Sequence, residues 1–434
     1  MGMSSWQDNH SDSARILPVT RRGFVRATVG ALASGIALTT GSAGAAAAQL
    51  EPAVERGPYS QELLPRGIRS RLVSGINGLR MHVLEAGFEN SGRPLVLLLH
   101  GFPELAYSWR HVMVPIAAAG YHVVAPDRRG YGRSAAGIIK YDDDLVPFGT
   151  LNQVQDMVAL VSAFGYRSVH AVVGHDQGSP LAGWCAVARP DVFRSVAMMS
   201  APFGGTAILP FNTADGAPSS SGGTVDPIYG ELAKLPPPRK HYQRYYQTRE
   251  ANANLWQPRQ GLHAFLRAYY HMKSADWASN APQRLAGRTA TEWAKLPRYY
   301  VMDLDQGMSE TVAQEMPSPA QVAACRWLTE AHLDVYTAEY GRTGFQGGLN
   351  GYRRGEVDGV LQVFAGRKIE VPAIFAGGRK DWGVFQDPGA LERLETIHTT
   401  KYEGTTFVDG AGHWVQQEQP AIVSALLIQF FKRH

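Results

Sequence analysis

The 434-residue sequence lacks the features that mark a metalloprotein, a disulfide scaffold or a nucleic-acid-binding protein. It has only two cysteines, Cys185 and Cys325, which lie far apart without a Cys-x-x-Cys motif or a histidine-rich neighbourhood. The formal net charge is only +4 and the basic residues are scattered, so neither nucleic acid nor a membrane surface is expected as a partner. We expect a small neutral organic ligand, no metal and no organic cofactor, and the sequence leaves the oligomeric state open.

Long apolar runs are also lacking, even near the N-terminus. Residues 27–42 are only weakly apolar, diluted by glycine, serine and threonine, and are shorter than the ~20 residues that a membrane span needs. They follow the pair Arg21-Arg22 and Phe24, and they precede a run of small residues at 43–48 that suits a signal peptidase. This order is typical of a twin-arginine signal. We therefore expect residues 1–48 to be an export signal and the protein to be periplasmic or extracellular.

The hydrophobic pattern of the remaining chain predicts an α/β fold built on a mostly parallel, doubly wound sheet. Asn77-Gly78 separates two alternating runs, which predicts a two-residue hairpin at the start. Short, nearly continuous apolar runs then alternate with helical segments such as 151–164. Apolar runs of this kind are typical of strands that are buried on both faces of a parallel sheet. The predicted strands are 95–99, 121–125, 169–173, 195–199, 371–376 and 405–408, and a last helix begins at about Pro420.

A long insertion interrupts this pattern. Residues 206–240 are rich in glycine, serine and proline, which predicts a segment without regular structure. A region rich in tyrosine, tryptophan and arginine follows up to about residue 344, a composition typical of an aromatic-lined helical lid over a pocket. The predicted organisation is a core of residues 49–205 and 346–434 with a mainly helical lid at 206–345.

The strongest chemical motif is Gly174-His175-Asp176-Gln177-Gly178, between a predicted strand and a helix starting near Pro180. This is the setting of a nucleophile elbow, in which two glycines allow a sharp turn that exposes the central side chain. A carboxylate in that position attacks a saturated carbon and forms an alkyl ester, which water then cleaves. The alternative is a structural aspartate that caps the next helix.

The remaining members of a catalytic triad follow in the order expected for this fold, nucleophile, acid, histidine. Asp381 lies in the loop after the strand at 371–376, and His413 lies in the loop after the next strand. We predict that Asp381 orients His413 as a general base, with Asp387 and Asp409 as lesser candidates for the acid. Backbone N–H groups for an oxyanion are predicted at Phe102 and Gln177, although residues 100–103 could form only a tight turn.

These motifs resemble those of the epoxide hydrolases of the α/β-hydrolase superfamily, over nearly all of residues 70–434. The stretch 100–104, His-Gly-Phe-Pro-Glu, followed by Tyr-Ser-Trp-Arg at 107–110, is particularly similar to that family. The family uses two lid tyrosines that hydrogen-bond the epoxide oxygen, and the resemblance points to Tyr242 and Tyr352. It also suggests that Glu104 orders the attacking water. The alternative for both tyrosines is aromatic packing in the lid.

The sequence also departs from that family. Its members usually carry tryptophan after the nucleophile, whereas this chain has Gln177. Haloalkane and haloacetate dehalogenases share the aspartate nucleophile. Resemblance to them would require halide-binding residues at positions 102 and 177, and this chain has Phe102 and Gln177 instead. Dehalogenation therefore ranks below epoxide hydrolysis. The third hypothesis is a hydrolase fold that binds a ligand without catalysis, which the joint presence of Asp176, Asp381 and His413 disfavours.

Overall fold

The computed structural model describes residues 56–135, 137–209 and 226–434. The predicted export signal at 1–48 lies outside the described residues, as does the central part of the segment rich in glycine, serine and proline, residues 210–225. The described strands form one sheet of eight and one of two. They are β1 (Ile68–Ile76), β2 (Leu79–Ala86), β3 (Leu95–Leu99), β4 (His122–Pro126), β5 (Ala171–His175), β6 (Val196–Met199), β7 (Arg239–His241), β8 (Val301–Asp303), β9 (Ala373–Gly378) and β10 (Tyr402–Val408).

The eight-stranded sheet has the order β1-β2-β4-β3-β5-β6-β9-β10. The six strands from β4 to β10 in this order run parallel, and β2 is antiparallel to both of its neighbours. Strands β3 and β5 are buried along their whole length, because helices cover both faces of a doubly wound sheet. The prediction of a mostly parallel doubly wound sheet is thereby confirmed.

Helices cover both faces of this sheet and build the lid. Within the described residues the α-helices of the core before the insertion are α1 (Arg110–Ala118), α2 (Thr150–Ala163) and α3 (Gly178–Ala188). Those of the insertion are α4 (Pro227–Leu232), α5 (Tyr242–Tyr246), α6 (Ala251–Trp256), α7 (Leu262–Lys273), α8 (Ala290–Trp293), α9 (Met308–Ala313), α10 (Pro319–Ala324), α11 (Glu330–Thr343) and α12 (Gln346–Arg353). Those after it are α13 (Ala390–Arg393), α14 (Val415–Glu418) and α15 (Pro420–Phe431).

Most of the predicted elements are confirmed within about two residues. Asn77 and Gly78 have φ angles of 47° and 80°, the left-handed conformation that a type I′ hairpin turn requires at both central positions. Helix α2 matches the predicted segment at 151–164, and α15 begins at Pro420 as predicted. The six predicted core strands are all present.

Two expectations about the insertion need correction. The segment 206–240 was expected to lack regular structure, but α4 and most of β7 form within it, because Asp226 caps α4 and β7 pairs with β8. The helical part also continues beyond residue 345, where α12 and two 3-10 turns reaching Phe364 precede β9. One hydrophobic cluster runs continuously from the sheet into the lid helices. This continuity packs the lid directly over the carboxyl ends of the strands.

Two further observations concern membrane-spanning helices and the cysteines. Across the described ranges, no helix is long and apolar enough to cross a membrane. Cys185 and Cys325 are both unpaired, and Cys185 is buried.

Candidate active site

The nucleophile elbow lies at the carboxyl end of β5, near the centre of the large sheet. Asp176 has a φ of 49°, the left-handed conformation that exposes a side chain at a sharp turn. The flanking glycines are required by close approach, because a Cβ at Gly174 would lie 2.0 Å from the Gly178 carbonyl oxygen and one at Gly178 would lie 2.1 Å from that of Leu99. The local sequence thus dictates the turn that presents Asp176.

The Asp176 carboxylate already occupies a backbone hydrogen-bond site. The N–H of Phe102 donates to Oδ1 of Asp176 at 2.8 Å, from the turn that follows β3. Gly101 permits this approach, since a Cβ there would lie 2.3 Å from Cβ of Asp176. Oδ1 of Asp176 is therefore held by a backbone donor, as an oxyanion site requires. Oδ2 is not bound by the Phe102 N–H. The structure assigns no backbone donor role to Gln177, which stays a prediction.

His413 lies between the two predicted aspartates. Its Nδ1 lies 3.1 and 3.3 Å from the two carboxylate oxygens of Asp381, and its Nε2 lies 3.4 Å from Oδ2 of Asp176. Nε2 makes no hydrogen bond with any described residue. The N–H of Gly383 donates to Asp381 at 2.7 Å and fixes its carboxylate. The arrangement holds His413 in the tautomer whose Nε2 can accept a proton.

The two lesser candidates for the acid lie elsewhere. Asp387 is half exposed and pairs with Arg393 at 3.1 Å, while Asp409 is exposed and pairs with Arg379. Neither forms a hydrogen bond with His413 among the contacts of the described residues. Asp381 is the aspartate that contacts the histidine.

Positive charge around Asp176 keeps its carboxylate ionised. Burial raises the pKa of Asp176, but the groups around the carboxylate together lower it by more, first among them His413, whose Nε2 lies 3.4 Å from Oδ2. The charges of Lys273 and His175 act in the same direction, so the pKa lies well below its ordinary range. The Asp176 side chain is therefore an ionised carboxylate at neutral pH.

Sequence reasoning missed His175 and Lys273 as parts of this site. Lys273 ends α7, and its side chain is only 3% exposed. Its ammonium lies 4.9 to 5.8 Å from the centroids of five aromatic rings, those of Tyr242, Tyr269, Tyr299, Tyr300 and Trp414. The sequence signal for Lys273 was a lysine that ends an aromatic-rich helix, and the signal for His175 was its place in the elbow motif directly before Asp176. The carbonyl oxygen of Lys273 accepts the N–H of His413 at 2.8 Å, so α7 also positions the histidine.

Glu104 lies in a buried network beneath the nucleophile. Its carboxylate accepts from His175 Nδ1 at 2.6 Å, from the Gly101 N–H at 3.2 Å, and from Gln416 and Gln417 at 2.8 and 3.0 Å. The resemblance assigned Glu104 to water ordering, which stays a prediction. Its contacts are those of a residue that positions the elbow.

The partner of Glu104 is a histidinium. Nε2 of His175 lies 2.6 Å from the carbonyl oxygen of His413, so both ring nitrogens of His175 face acceptors and both carry protons. Burial lowers the pKa of His175, but the charge and hydrogen bond of Glu104 raise it to about 9. For Glu104, burial raises the pKa, and the charge and hydrogen bond of His175 lower it overall. A buried ion pair therefore links the elbow to the His413 loop.

Replacing Glu104 by Gln is expected to lower the free energy of unfolding by about 3 kcal/mol, because it leaves the charge of His175 uncompensated. Folding raises the pKa of His175 from 6.5 to about 9, so its stabilising contribution is complete below pH 6.5 and disappears as pH rises through about 9. The decrease in the free energy of unfolding should therefore be larger near pH 6 than near pH 9.5. Urea unfolding, followed by tryptophan fluorescence, measures it at both pH values.

The matched control for this experiment is Glu403→Gln, which removes an exposed pair with Arg433. It should change the free energy of unfolding by less than about 1 kcal/mol at either pH. An equal loss at both pH values for Glu104→Gln would show that His175 is uncharged in the folded protein.

The two predicted lid tyrosines line the same cavity as Asp176. This catalytic cavity has a volume of about 310 Å³, and the rings of Tyr242 and Tyr352 lie 5.9 Å apart at its wall. Tyr242 follows β7 directly, and its N–H donates to the Tyr300 carbonyl at 2.8 Å, which continues the pairing of β7 with β8. Helix α12 carries Tyr352 and approaches the core so closely that Gly347 contacts the backbone of Gly130. The tertiary structure brings both tyrosines to the nucleophile.

Both tyrosines carry their protons. Burial raises the pKa of Tyr242 well above its ordinary value, and the negative charge of Asp176 raises it further. Burial has the same effect on the pKa of Tyr352, with contributions from Tyr242 and Asp176. The hydroxyl of Tyr242 donates to Gln386 Oε1 and accepts from Gln243 Nε2, both at 3.2 Å. Both tyrosines thus line a cavity that also contains the Asp176 carboxylate, and the Tyr242 hydroxyl is held between two glutamine side chains there.

The lining of the catalytic cavity is unusually rich in amides. Ligand cavities are usually lined mostly by apolar and aromatic side chains, whereas this one includes four glutamines. They are Gln177, Gln243, Gln247 and Gln386. Within the described ranges, no group of three or more histidine, cysteine or carboxylate side chains could hold a metal ion.

Comparisons with known proteins agree with this geometry. Residues 94–224 match the family model described as alpha/beta hydrolase fold. The chain is 32% identical over 356 residues to epoxide hydrolase B of Mycobacterium tuberculosis, covering 81% of this chain and 95% of that protein. It is also 32% identical to epoxide hydrolase A of the same organism, covering 82% of this chain and 94% of that protein.

Solved structures give the same result. An epoxide hydrolase from an endophytic Streptomyces superposes with a TM-score of 0.65 at 31% identity, covering 85% of this chain and 96% of the other. Epoxide hydrolase A from Mycobacterium thermoresistibile superposes with a TM-score of 0.61 at 30% identity, covering 84% and 98%. The similarity therefore extends across both the core and the lid.

Proposed function

Because the chain belongs to the epoxide hydrolases of the α/β-hydrolase fold, we propose that it converts epoxides to vicinal diols through a covalent alkyl ester on Asp176. The observation that carries this proposal is that the two oxygens of the Asp176 carboxylate have different neighbours. Oδ1 of Asp176 accepts the Phe102 N–H at 2.8 Å, and Oδ2 lies 3.4 Å from the general base His413. An ester formed through Oδ2 would leave its carbonyl oxygen in the oxyanion site.

In the first step, Oδ2 of Asp176 attacks a ring carbon of the epoxide from the side opposite the ring oxygen. The carbon–oxygen bond of the ring breaks as the new ester bond forms. The developing alkoxide takes a proton from the hydroxyl of Tyr242 or Tyr352, whose high pKa values keep them protonated until an alkoxide appears. The resulting tyrosinate regains its proton from water.

In the second step, Nε2 of His413 takes a proton from water, and the hydroxide attacks the carbonyl carbon of the ester. The Phe102 N–H holds the resulting oxyanion, and we assign a second backbone donor to Gln177. When the intermediate collapses, the diol oxygen takes the proton from His413, and Asp176 is left as a carboxylic acid. That acid gives its proton to the hydroxide left when the tyrosinate was reprotonated by water, which restores the Asp176 carboxylate. Asp381 stabilises the histidinium formed in between.

A single turnover in water labelled with ¹⁸O tests this mechanism. The ester route cleaves the bond between Oδ2 and the carbonyl carbon, so the diol carries an unlabelled oxygen and the Asp176 carboxylate gains the label. Mass spectrometry of the active-site peptide detects it, and the peptide with Asp381 serves as the unlabelled control. Label in the diol, with none in Asp176, would show direct attack by water and would refute the ester.

We also propose that the protein leaves the cell by the twin-arginine route, on the basis of residues 20–48 of the sequence alone. Changing Arg21 and Arg22 to lysine should keep the protein in the cytoplasm, measured by fractionation and immunoblotting. The matched control is Arg15→Lys, which changes an arginine ahead of the pair and should leave export unchanged. Unchanged export of the double lysine variant would refute the proposal.

A further inference from the structure

The loop that carries His413 is hydrogen-bonded directly to the lid helix α7. The N–H of His413 donates to the carbonyl oxygen of Lys273, the last residue of α7, at 2.8 Å. The indole N–H of Trp414 donates to the carbonyl oxygen of Tyr270, about one turn earlier in the same helix, at 2.8 Å. The position of the proposed general base is therefore set against the lid and not only within the core.

Glu418 adds a second set of bonds between the same two segments. Its Oε2 accepts the N–H of Ala275, which follows α7, at 2.7 Å and the N–H of Gly412 at 2.9 Å. Its Oε1 accepts the N–H of Trp414 at 2.9 Å. Gly412 and Trp414 are the two neighbours of His413 in the chain. One side chain thus bonds the backbone on either side of the base and also the chain that leaves the lid helix.

The two segments also pack backbone against backbone. A Cβ at Gly412 would lie 2.5 Å from the carbonyl carbon of Ser274 and 2.6 Å from the carbonyl oxygen of Lys273. Glycine is therefore required at position 412 for this approach. Because the packing leaves no gap between the segments, a displacement of either one would shift His413.

The bonds to Glu418 depend on a carboxylate. Burial raises the pKa of Glu418 to about 8, and the three backbone N–H groups oppose this rise. Hydrogen bonds to an ionised acceptor are roughly twice as strong as those between neutral groups. An amide in the same place would direct its NH₂ group at one or more of these N–H donors, since only one of its two terminal atoms is an acceptor. Glutamine therefore cannot reproduce the three bonds.

We propose that Glu418 is a positioning residue for the second step of the reaction. It holds the backbone of His413 against α7, so that Nε2 stays within reach of the water that attacks the ester on Asp176. The first step does not depend on Glu418, because attack by Asp176 uses no base. This inference rests on the proposed function, since it concerns the base of the same ester hydrolysis.

The test resolves the two steps in Glu418→Gln, which keeps the length of the side chain and removes the charge. Single turnovers of 1,2-epoxybutane are quenched with acid and followed by intact-protein mass spectrometry near pH 9, above the pKa of Glu418. Formation of the ester should stay within a few-fold of the wild type. Hydrolysis of the ester should slow by about 10- to 100-fold, the effect of misplacing a reacting group by roughly 1 Å, and the ester should accumulate.

A double-mutant comparison separates positioning from a general loss of structure. The His413→Gln protein has no base left to position, so adding Glu418→Gln should change its residual rate of ester hydrolysis by less than about 3-fold. A general loss of structure would instead slow both steps when His413 is present, and its effect would persist when His413 is replaced.

Glu395→Gln is the matched control for this experiment. Like Glu418, Glu395 is a partly buried glutamate of the core, but it accepts the hydroxyl of Thr405 at 2.7 Å and does not line the catalytic cavity. Both of its steps should match the wild type.

Glu418→Asp keeps the charge and shortens the side chain by one methylene group. It should slow ester hydrolysis while leaving ester formation within a few-fold of the wild type. This variant decides the question if the Glu418→Gln protein does not fold.

The outcomes are distinguishable from a failure of the proposed function. Ester hydrolysis at the wild-type rate in Glu418→Gln would overturn the positioning role alone, as would an equal slowing of both steps in the two Glu418 variants. If Glu418→Gln forms no ester and Glu418→Asp matches the wild type in both steps, the positioning role is also overturned. If the wild-type protein itself forms no ester, both the proposed function and this inference fail.

Discussion

Replacing His413 by Gln is expected to stop multiple turnover while leaving the first chemical step intact. In the proposed mechanism, attack by Asp176 on the epoxide needs no base, whereas hydrolysis of the ester requires Nε2 of His413, 3.4 Å from Oδ2 of Asp176, to take a proton from water. Steady-state diol formation should fall by about 10³-fold or more. The ester should accumulate, and intact-protein mass spectrometry should show one equivalent of added epoxide mass.

Two controls make this result interpretable. The variant His413→Gln combined with Asp176→Ala should gain no mass, which assigns the adduct to Asp176. His263→Gln changes a lid histidine that pairs with Glu330 at the surface, and its turnover should match the wild type. Sustained diol formation by the His413→Gln protein would exclude His413 as the base.

Removing both lid hydroxyls is expected to slow formation of the ester without slowing its hydrolysis. In the proposed mechanism, Tyr242 and Tyr352 supply the proton that the ring oxygen needs as the ring opens, and neither is required when water attacks the ester. Each Tyr→Phe change should slow alkylation by about 10- to 1000-fold, and the double change should slow it further. Stopped-flow single-turnover kinetics resolve the two steps.

Tyr246→Phe is the matched control for the tyrosine experiment. Tyr246 belongs to the same helix α5 and its ring contacts both Tyr242 and Tyr352, but its hydroxyl bonds Tyr269 at 3.4 Å. Its alkylation rate should stay within a few-fold of the wild type. If the Tyr242/Tyr352 double variant forms the ester at the wild-type rate, both tyrosines serve only for packing.

The triad could be predicted from the sequence because each member follows a strand that reads as a short apolar run. Asp176, Asp381 and His413 lie in the loops after β5, β9 and β10, and the carboxyl ends of parallel strands meet at one edge of a sheet. The glycines of the elbow provided an independent local signal, since only they tolerate the approach of neighbouring backbone. Order along the chain and local turn chemistry were sufficient for these residues.

The lid could be predicted only in outline. Aromatic composition indicated a helical cover, but the short strands β7 and β8 lie far apart in the chain and have too few residues for a periodic pattern. Their pairing sets the position of Tyr242, and a close approach of glycine backbones sets that of α12 with Tyr352. Both tyrosines entered through resemblance to a family.

The parallel sheet, the elbow and the identity of the triad follow from the sequence alone, because they depend on periodicity and on glycine sterics within a few residues. Which polar groups are buried together is set only by the folded chain. Glu104 meets His175 across 71 residues, Lys273 enters a ring of aromatic side chains, and Trp293 is left without an acceptor beside His241. The charge state and hydrogen-bonding of such groups depend on burial and on partners distant in the chain, which no local pattern encodes.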